Sequence, residues 1–258
     1  RPEAYPEAVD AVELIETDVS YIFLTGKYAY KVKKPVAFGF LNFSTPAERR
    51  HYCHLELDLN RRVSPEVYLR VVEVREKDGG YTVEGPGRTV DWAVKMLQLS
   101  RDRSLSAMLE QGQVTEEDVR RVGARIAEFH AGVETDAKIV RLGGLEAVRQ
   151  KVEENFSLTE KFMGVSLPPE AFDDLVAYSH AFLTARKDLF FQRAVEGRIR
   201  DCHGDLHTGQ VFVEDGISVI DCIEFYDRFR YSDVAEDVAF LAMDLDRFGR
   251  RDLSRVFV

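Results

Sequence analysis

Two aspartates and an amide stand at spacings that suit work on phosphate. Asp205 lies in His203-Gly204-Asp205-Leu206-His207-Thr208-Gly209-Gln210, with the amide of Gln210 five residues on. Asp221, in Ile220-Asp221-Cys222, follows sixteen residues after Asp205, across the turn pair Asp215-Gly216. A loop carboxylate can accept or orient the proton of an attacking hydroxyl. An amide oxygen and a second carboxylate are hard oxygen ligands of the kind Mg²⁺ takes. Phosphoryl transfer needs both: a group at the nucleophile and a cation on the phosphates.

The elements that must position these groups are legible in outline. Val19–Leu24 and Tyr28–Lys33 read as strands around the hairpin signal Thr25-Gly26-Lys27. Thr45 as N-cap, Pro46 at the first helical position and Glu48 three residues after the cap predict a helix from Pro46 to Arg62. Strands are predicted at 67–75, 81–84 and 90–97, the first two joined by Lys77-Asp78-Gly79-Gly80. Beyond a crossover near Leu97–Ser100 the pattern is helical. Thr115 precedes a helix with Val119, Val122, Ile126 and Phe129 on one face, and further helices are expected over 145–162 and 169–194. A last hairpin, 211–214 and 217–220, turns at Asp215-Gly216. The expected fold class is α+β: a β-rich lobe over residues 1–97 and a mostly helical lobe over 98–258.

At this point the sequence resembles the aminoglycoside phosphotransferase and choline kinase-like family. That family carries His-Gly-Asp-x-His-x-x-Asn, then Ile-Asp on a following strand. Tyr231-Ser232-Asp233-Val234-Ala235-Glu236-Asp237 resembles its later Gly-Asp-Pro-x-x-Asp-Leu segment. Asp221-Cys222-Ile223-Glu224-Phe225 and Phe229-Arg230-Tyr231-Ser232-Asp233 look like bacterial members, some fused to a P-loop ATPase domain. No Gly-x-x-x-x-Gly-Lys-Ser/Thr occurs in this sequence. The resemblance implies a protein kinase-like two-lobed fold, ATP and Mg²⁺ as cofactors, and a hydroxyl on a small molecule as acceptor: a sugar, an amino sugar or an aminoglycoside-like compound. It implies Asp205 as catalytic base and Asp221 as metal ligand. Gln210, the other implied metal ligand, departs from the family's Asn. It keeps the carbonyl oxygen and adds a methylene, which leaves open a catalytically weak, nucleotide-binding regulatory module.

Tyr28-Ala29-Tyr30-Lys31-Val32 resembles the family's strand with the phosphate-binding lysine. Such a lysine usually pairs with a glutamate on the following helix. Glu56 fits for a physical reason: Tyr52, Leu55 and Leu59 mark an apolar face, Glu56 falls on it, and a carboxylate there needs a partner. Lys31 and Lys33 point to one side of the strand. Lys31 is preferred, with Lys33 as the alternative; edge-strand lysines and a surface Glu56 would be the bland reading. Val94–Leu99, with Met96 and Gln98, is expected to be the adenine-contacting linker. His203 and His207 are read as structural, and Trp92 as core. Glu224 and Asp227 either face substrate or sit on a solvated loop.

Composition narrows the alternatives. The chain has 258 residues and a formal net charge of −10, which repels nucleic acid. No apolar run approaches the roughly 18 residues of a membrane span. The N-terminus is polar and acidic, without the pattern of a signal peptide, so a cytoplasmic location is expected. Three cysteines without short spacing, Cys53, Cys202 and Cys222, read as small buried hydrophobes. A metallophosphoesterase would explain Asp205-Leu206-His207, but the Gly-Asn-His-Glu segment it would add is missing. Asp-Phe-Gly and Ala-Pro-Glu are missing too, which disfavours a protein kinase. The helical pattern Arg251–Val258 stops without an end signal, so acceptor-binding residues are expected beyond it. One geometric expectation tests the kinase-like reading directly. Lys31 Nζ should lie within about 4 Å of a Glu56 carboxylate oxygen, although nothing local brings them together.

Overall fold

Alternation along Tyr28–Lys33 organises the first sheet. Ala29, Lys31 and Lys33 are buried on one face, while Tyr30 is buried on the other with Val32 half-buried beside it. The computed structural model describes residues 1–258. In chain order it has β1 (Glu13–Glu16), β2 (Ser20–Leu24), β3 (Tyr28–Lys33), β4 (Ala37–Phe38), β5 (Leu41–Asn42), α1 (Pro46–Arg61), β6 (Tyr68–Lys77), β7 (Gly80–Val83) and β8 (Arg88–Leu97). Then follow α2 (Leu105–Glu110), α3 (Glu116–Gly132), α4 (Ala137–Gly143), α5 (Leu145–Thr159), α6 (Pro169–Ala185), α7 (Lys187–Val195) and β9 (Ile199–Asp201). The chain closes with β10 (Val211–Val213), β11 (Ile217–Val219), α8 (Asp227–Arg230), β12 (Tyr231–Asp233), α9 (Val234–Arg247) and α10 (Arg251–Phe257).

Two compact units emerge, one of residues 1–132, 205–227 and 238–258, the other of 133–204 and 228–237. In the first, six antiparallel strands run β1-β2-β3-β8-β6-β7. β3 is therefore an interior strand, hydrogen-bonded on both sides, and its lysines are not edge lysines. α1 packs on the face that carries Ala29, Lys31 and Lys33. Cys53 and Leu57 of α1 join Leu24, Ala29, Val67, Tyr68, Val94 and Met96 in one apolar cluster. Tyr30, Val72, Val83 and Ala93 form the core of the opposite face, against Tyr5 and Phe23. The Thr45 hydroxyl accepts from the Glu48 N–H at 3.2 Å, as the cap signal predicts. At the β6–β7 turn Asp78 and Gly79 take φ of 52° and 75°, the paired left-handed residues of a tight hairpin.

The second unit holds α4 to α7 and the two-stranded β9–β12 ladder. Ile139, Ile199 and Tyr231 form its core. Gly143 lies so close to β12 that an added Cβ would meet the Tyr231 carbonyl at 2.6 Å.

Several sequence expectations change here. β1, α4 and the β9–β12 ladder have no place among the predicted elements, being too short or too polar for a periodic signal. The helix expected over 169–194 is two helices, parted at Arg186 with φ −109° and ψ 16°. The buried face of α1 centres on Cys53, Glu56, Leu57 and Asn60, one step round from Tyr52 and Leu55, which are half-buried. Trp92 packs only at the edge of the apolar cluster, with the Arg50 guanidinium 5.5 Å over its ring. No helix is long and apolar enough to cross a membrane.

All three cysteines are fully buried. Burial pushes the Cys53 thiol up to about 12 and raises that of Cys202. Native protein at pH 8 should therefore show no fast reaction with a disulfide reagent, and all three thiols should react once the chain is unfolded. Stoichiometric labelling of the native state would contradict this burial.

Candidate active site

Glu56 sits one helical turn before Asn60 on the face of α1 turned to the sheet, and its side chain has no solvent exposure. A carboxylate so placed requires cations. β3 supplies two. Lys31 Nζ is 3.0 Å from Glu56 Oε1, and Lys33 Nζ is 2.6 Å from Oε2. The Lys31 contact is an ion pair without hydrogen-bond alignment, because Oε1 has no hydrogen-bond donor in line. The expected Lys31–Glu56 approach is present, and Lys33 makes it as well; the two lysines share one carboxylate.

Each lysine also has an acidic partner of its own. Lys31 Nζ pairs with Asp221, and Lys33 Nζ with Glu224. Burial alone would depress both lysines, but the carboxylates outweigh it and raise both. Lys31 is raised by Asp221, Glu56 and Glu224 in that order. Glu224 is pushed up by burial against the pull of Lys33. It is not a solvated loop carboxylate. The sequence carried one clue: a second inward-facing lysine on β3 also needed a counter-ion.

Asp221 follows β11 and takes φ 67°, a left-handed conformation that Asp tolerates better than most residues. Its N–H donates to the Tyr68 hydroxyl at 3.0 Å, and the next N–H, of Cys222, donates to Asn60 Oδ1 at 2.9 Å. The Ser64 hydroxyl accepts from the Val219 N–H and donates to its carbonyl, both at 2.8 Å. One helix and the turn after it thus present Glu56 to the lysines and fix the strand leading to Asp221. Gln210 comes alongside, its carbonyl accepting from the Ile220 N–H at 3.0 Å.

Asp205 begins the loop before β10. Its Oδ2 lies 3.8 Å from His207 Nε2, and both side chains are part-exposed. His207 Nδ1 accepts from the Gly209 N–H at 3.1 Å, so a neutral His207 carries its proton on Nε2, toward Asp205. Thr208 is tied down by Asp244, which accepts from its N–H at 2.9 Å and its hydroxyl at 2.5 Å. Burial pushes Asp244 up, but the Thr208 and Arg247 hydrogen bonds prevail and hold it below the usual range. In the second unit, Asp237 accepts from the N–H groups of His203 and Gly204 at 2.8 and 3.0 Å. Gly204, at φ 86°, has no room for a Cβ, which would meet the Phe229 carbonyl at 2.8 Å. Asp237 closes the family-like segment Tyr231–Asp237, but its role as a brace is missing from the sequence reading. So are Asp244 as a brace and Tyr68, Asn60 and Ser64 as anchors, whose partners are distant in the chain and which no spacing rule marks.

Part of the expected adenine linker makes contacts within the fold. Met96 is buried in the apolar cluster. Gln98 Oε1 accepts from the Gly26 N–H at 2.9 Å, and the N–H groups of Leu97 and Gln98 donate to Val67 and Lys27 carbonyls. Gln98 therefore braces the β2–β3 turn.

Tyr68 offers a direct test of how Asp221 is held. Tyr68→Phe keeps the ring and strips the acceptor from the Asp221 N–H; it should cost about 1–3 kcal/mol by denaturant unfolding. A neutral result would mean that this bond does not hold the strand end.

One family model matches most of the chain. The model of a family described as the phosphotransferase enzyme family matches residues 47–257. An uncharacterized protein of Mycobacterium bovis, and two of Mycobacterium tuberculosis, are each 30% identical over 249 residues, covering 96% of this chain and 48% of theirs. The chain thus spans about half the length of these relatives. A choline/ethanolamine kinase family protein from Mesorhizobium loti superposes with a TM-score of 0.49 and 12% identity, over 96% of this chain and 69% of that one. That likeness is too remote to speak to function.

Proposed function

We propose, from the premise that this chain belongs to the phosphotransferase enzyme family, that it transfers the γ-phosphoryl group of ATP to a hydroxyl of a small molecule. The observation that carries the reading is the position of Lys31, an ammonium lodged between the buried Glu56 and the part-exposed Asp221. A strand lysine paired to a helix glutamate is the arrangement that orients an ammonium toward nucleotide phosphates. Membership of this family leaves no support for a metallophosphoesterase.

The donors at the strand end fit Mg²⁺. They are oxygens, the Asp221 carboxylate and the Gln210 amide carbonyl, and the Lys31 ammonium already stands as a cation against Asp221. Asp221 and Gln210 would hold the ion, which when bound would neutralise charge on the phosphates. Lys31 would bind phosphate oxygens, oriented by Glu56. Asp205 would accept or orient the acceptor's hydroxyl proton, with His207 Nε2 beside it to hold the carboxylate's aim. The acceptor class we propose is a sugar, amino sugar or aminoglycoside-like alcohol.

A panel of such alcohols assayed for ATP-dependent phosphorylation tests the reading; no turnover of any of them would leave the regulatory-module alternative standing. On an identified acceptor, Asp205→Asn should fold normally and lose roughly 10²–10⁴ in turnover. Full activity in that variant would remove Asp205 from the mechanism.

Metal binding has its own measurement. Asp221→Ala should abolish the Mg²⁺-dependent part of nucleotide binding in calorimetry, and unchanged affinity would count against the assignment. Gln210→Asn, which restores the family's residue, separates two designs. A gain in activity would make Gln210 a compromise, and a loss would mean that the site is built around the longer side chain.

A further inference from the structure

A kinase-type lysine–glutamate pair needs one lysine. Here Glu56 has two, one on each carboxylate oxygen, and they differ in what surrounds them. The Lys33 side chain is 1% exposed, and its second partner, Glu224, is 7% exposed. The Phe43 ring closes the same end, with its centre 4.8 Å from Lys33 Nζ. The second partner of Lys31, Asp221, is instead 40% exposed. One ammonium is sealed among carboxylates and an aromatic ring, and the other opens on a carboxylate that solvent reaches.

Charge gives this asymmetry a consequence. A lysine that is the sole counter-ion of a fully buried carboxylate cannot turn to a phosphate without leaving that carboxylate uncompensated, which is costly. A second lysine fixed on Oε2 removes that conflict, because Glu56 keeps a partner whatever Lys31 does. A second lysine alone would crowd two positive charges on one carboxylate, and Glu224 offsets this.

We propose that Lys33 is the standing counter-ion of Glu56 and Glu224 its anchor, two positioning residues that release Lys31 for nucleotide phosphates. The inference rests on the phosphotransferase reading above. It gives Lys33 a role other than phosphate contact: it acts through Glu56 and touches neither nucleotide nor acceptor.

The test is the affinity of the whole chain for the Mg²⁺ complex of a non-hydrolysable ATP analogue, measured by calorimetry alongside Tm. Lys33→Met alone leaves two buried carboxylates short of a cation and should lower Tm sharply. The informative variant is Lys33→Met/Glu224→Gln, which removes one charge of each sign. The cluster of three carboxylates and two ammonium groups becomes one of two carboxylates and one ammonium, at the same net charge of −1. Lys31 is then the sole partner of Glu56, and affinity should fall about tenfold or more, within the usual range of coupling between sites. A merely structural pair would move Tm and leave affinity untouched, which would overturn the inference. Lys31→Ala separates the two levels of argument. Binding lost in Lys31→Ala but intact in the double variant overturns the role of Lys33 and Glu224 alone. No binding by the unaltered chain would overturn the phosphotransferase reading and this inference together.

Discussion

A carboxylate with no access to water, Glu56, is the constraint around which this structure is arranged. Such a group survives only with cations against it, and removing one partner of a buried pair typically costs about 3–5 kcal/mol. The cations come from alternate positions of β3, so they share a face, and α1 covers that face. α1 must then pack where Glu56 meets both lysines, and Cys53 and Leu57 give it the apolar contacts to do so. Replacing a buried ion cluster by apolar side chains is often neutral or stabilising. Stability alone therefore gives no reason for two lysines and three carboxylates to stand together, and groups so placed mark a candidate site of chemistry.

The same helix reaches the other half of the site. Asn60, one turn beyond Glu56, accepts from the Cys222 N–H, and Ser64 pins Val219. Glu56 and Asp221 are thus referred to one rigid element, although 165 residues separate them in sequence. The left-handed backbone at Asp221 belongs to this arrangement, since polar side chains at positive φ collect where a turn must aim a functional group.

How much of this was legible in the sequence follows from how local each signal is. The strands around Thr25-Gly26-Lys27, the cap at Thr45 and the apolar stripe of α3 rest on neighbours within a few residues, and those elements formed as read. Lys31 and Glu56 were paired by the resemblance of β3 to the family's lysine-bearing strand, with the faces of that strand and of α1 in support, and the contact is there. Glu224 was left open between a solvated loop and the substrate side, and its burial against Lys33 was not foreseen, because a lone acidic residue in a loop has no period to place it. Asp244 and Tyr68 were missed, and Asp237 was seen only as part of a motif, because each acts on a backbone N–H far away in the chain, and a backbone group leaves no mark in a sequence. The break at Arg186 was missed for a different reason. Its flanks continue the helical composition, and no glycine or proline announces the change.

The contact between Lys31 and Asp221 bears on how the site would fill. As the structure stands, each neutralises the other, so the open end of the cluster is already satisfied. On the proposed reading, a metal ion alone would meet the Lys31 ammonium beside Asp221, and like charges oppose its entry. A phosphate alone would draw Lys31 away from Asp221 and bring its own negative charge up to that carboxylate. The magnesium complex of a nucleotide brings both partners together: a cation for Asp221 and phosphate oxygens for Lys31. One attractive pair is then exchanged for two, with no charge uncovered on the way. Lys33 and Glu224 make the exchange local, because the sealed half of the cluster keeps Glu56 compensated throughout. A site built in this way would discriminate between free and metal-bound nucleotide by charge balance, before any detail of the phosphate contacts comes into play.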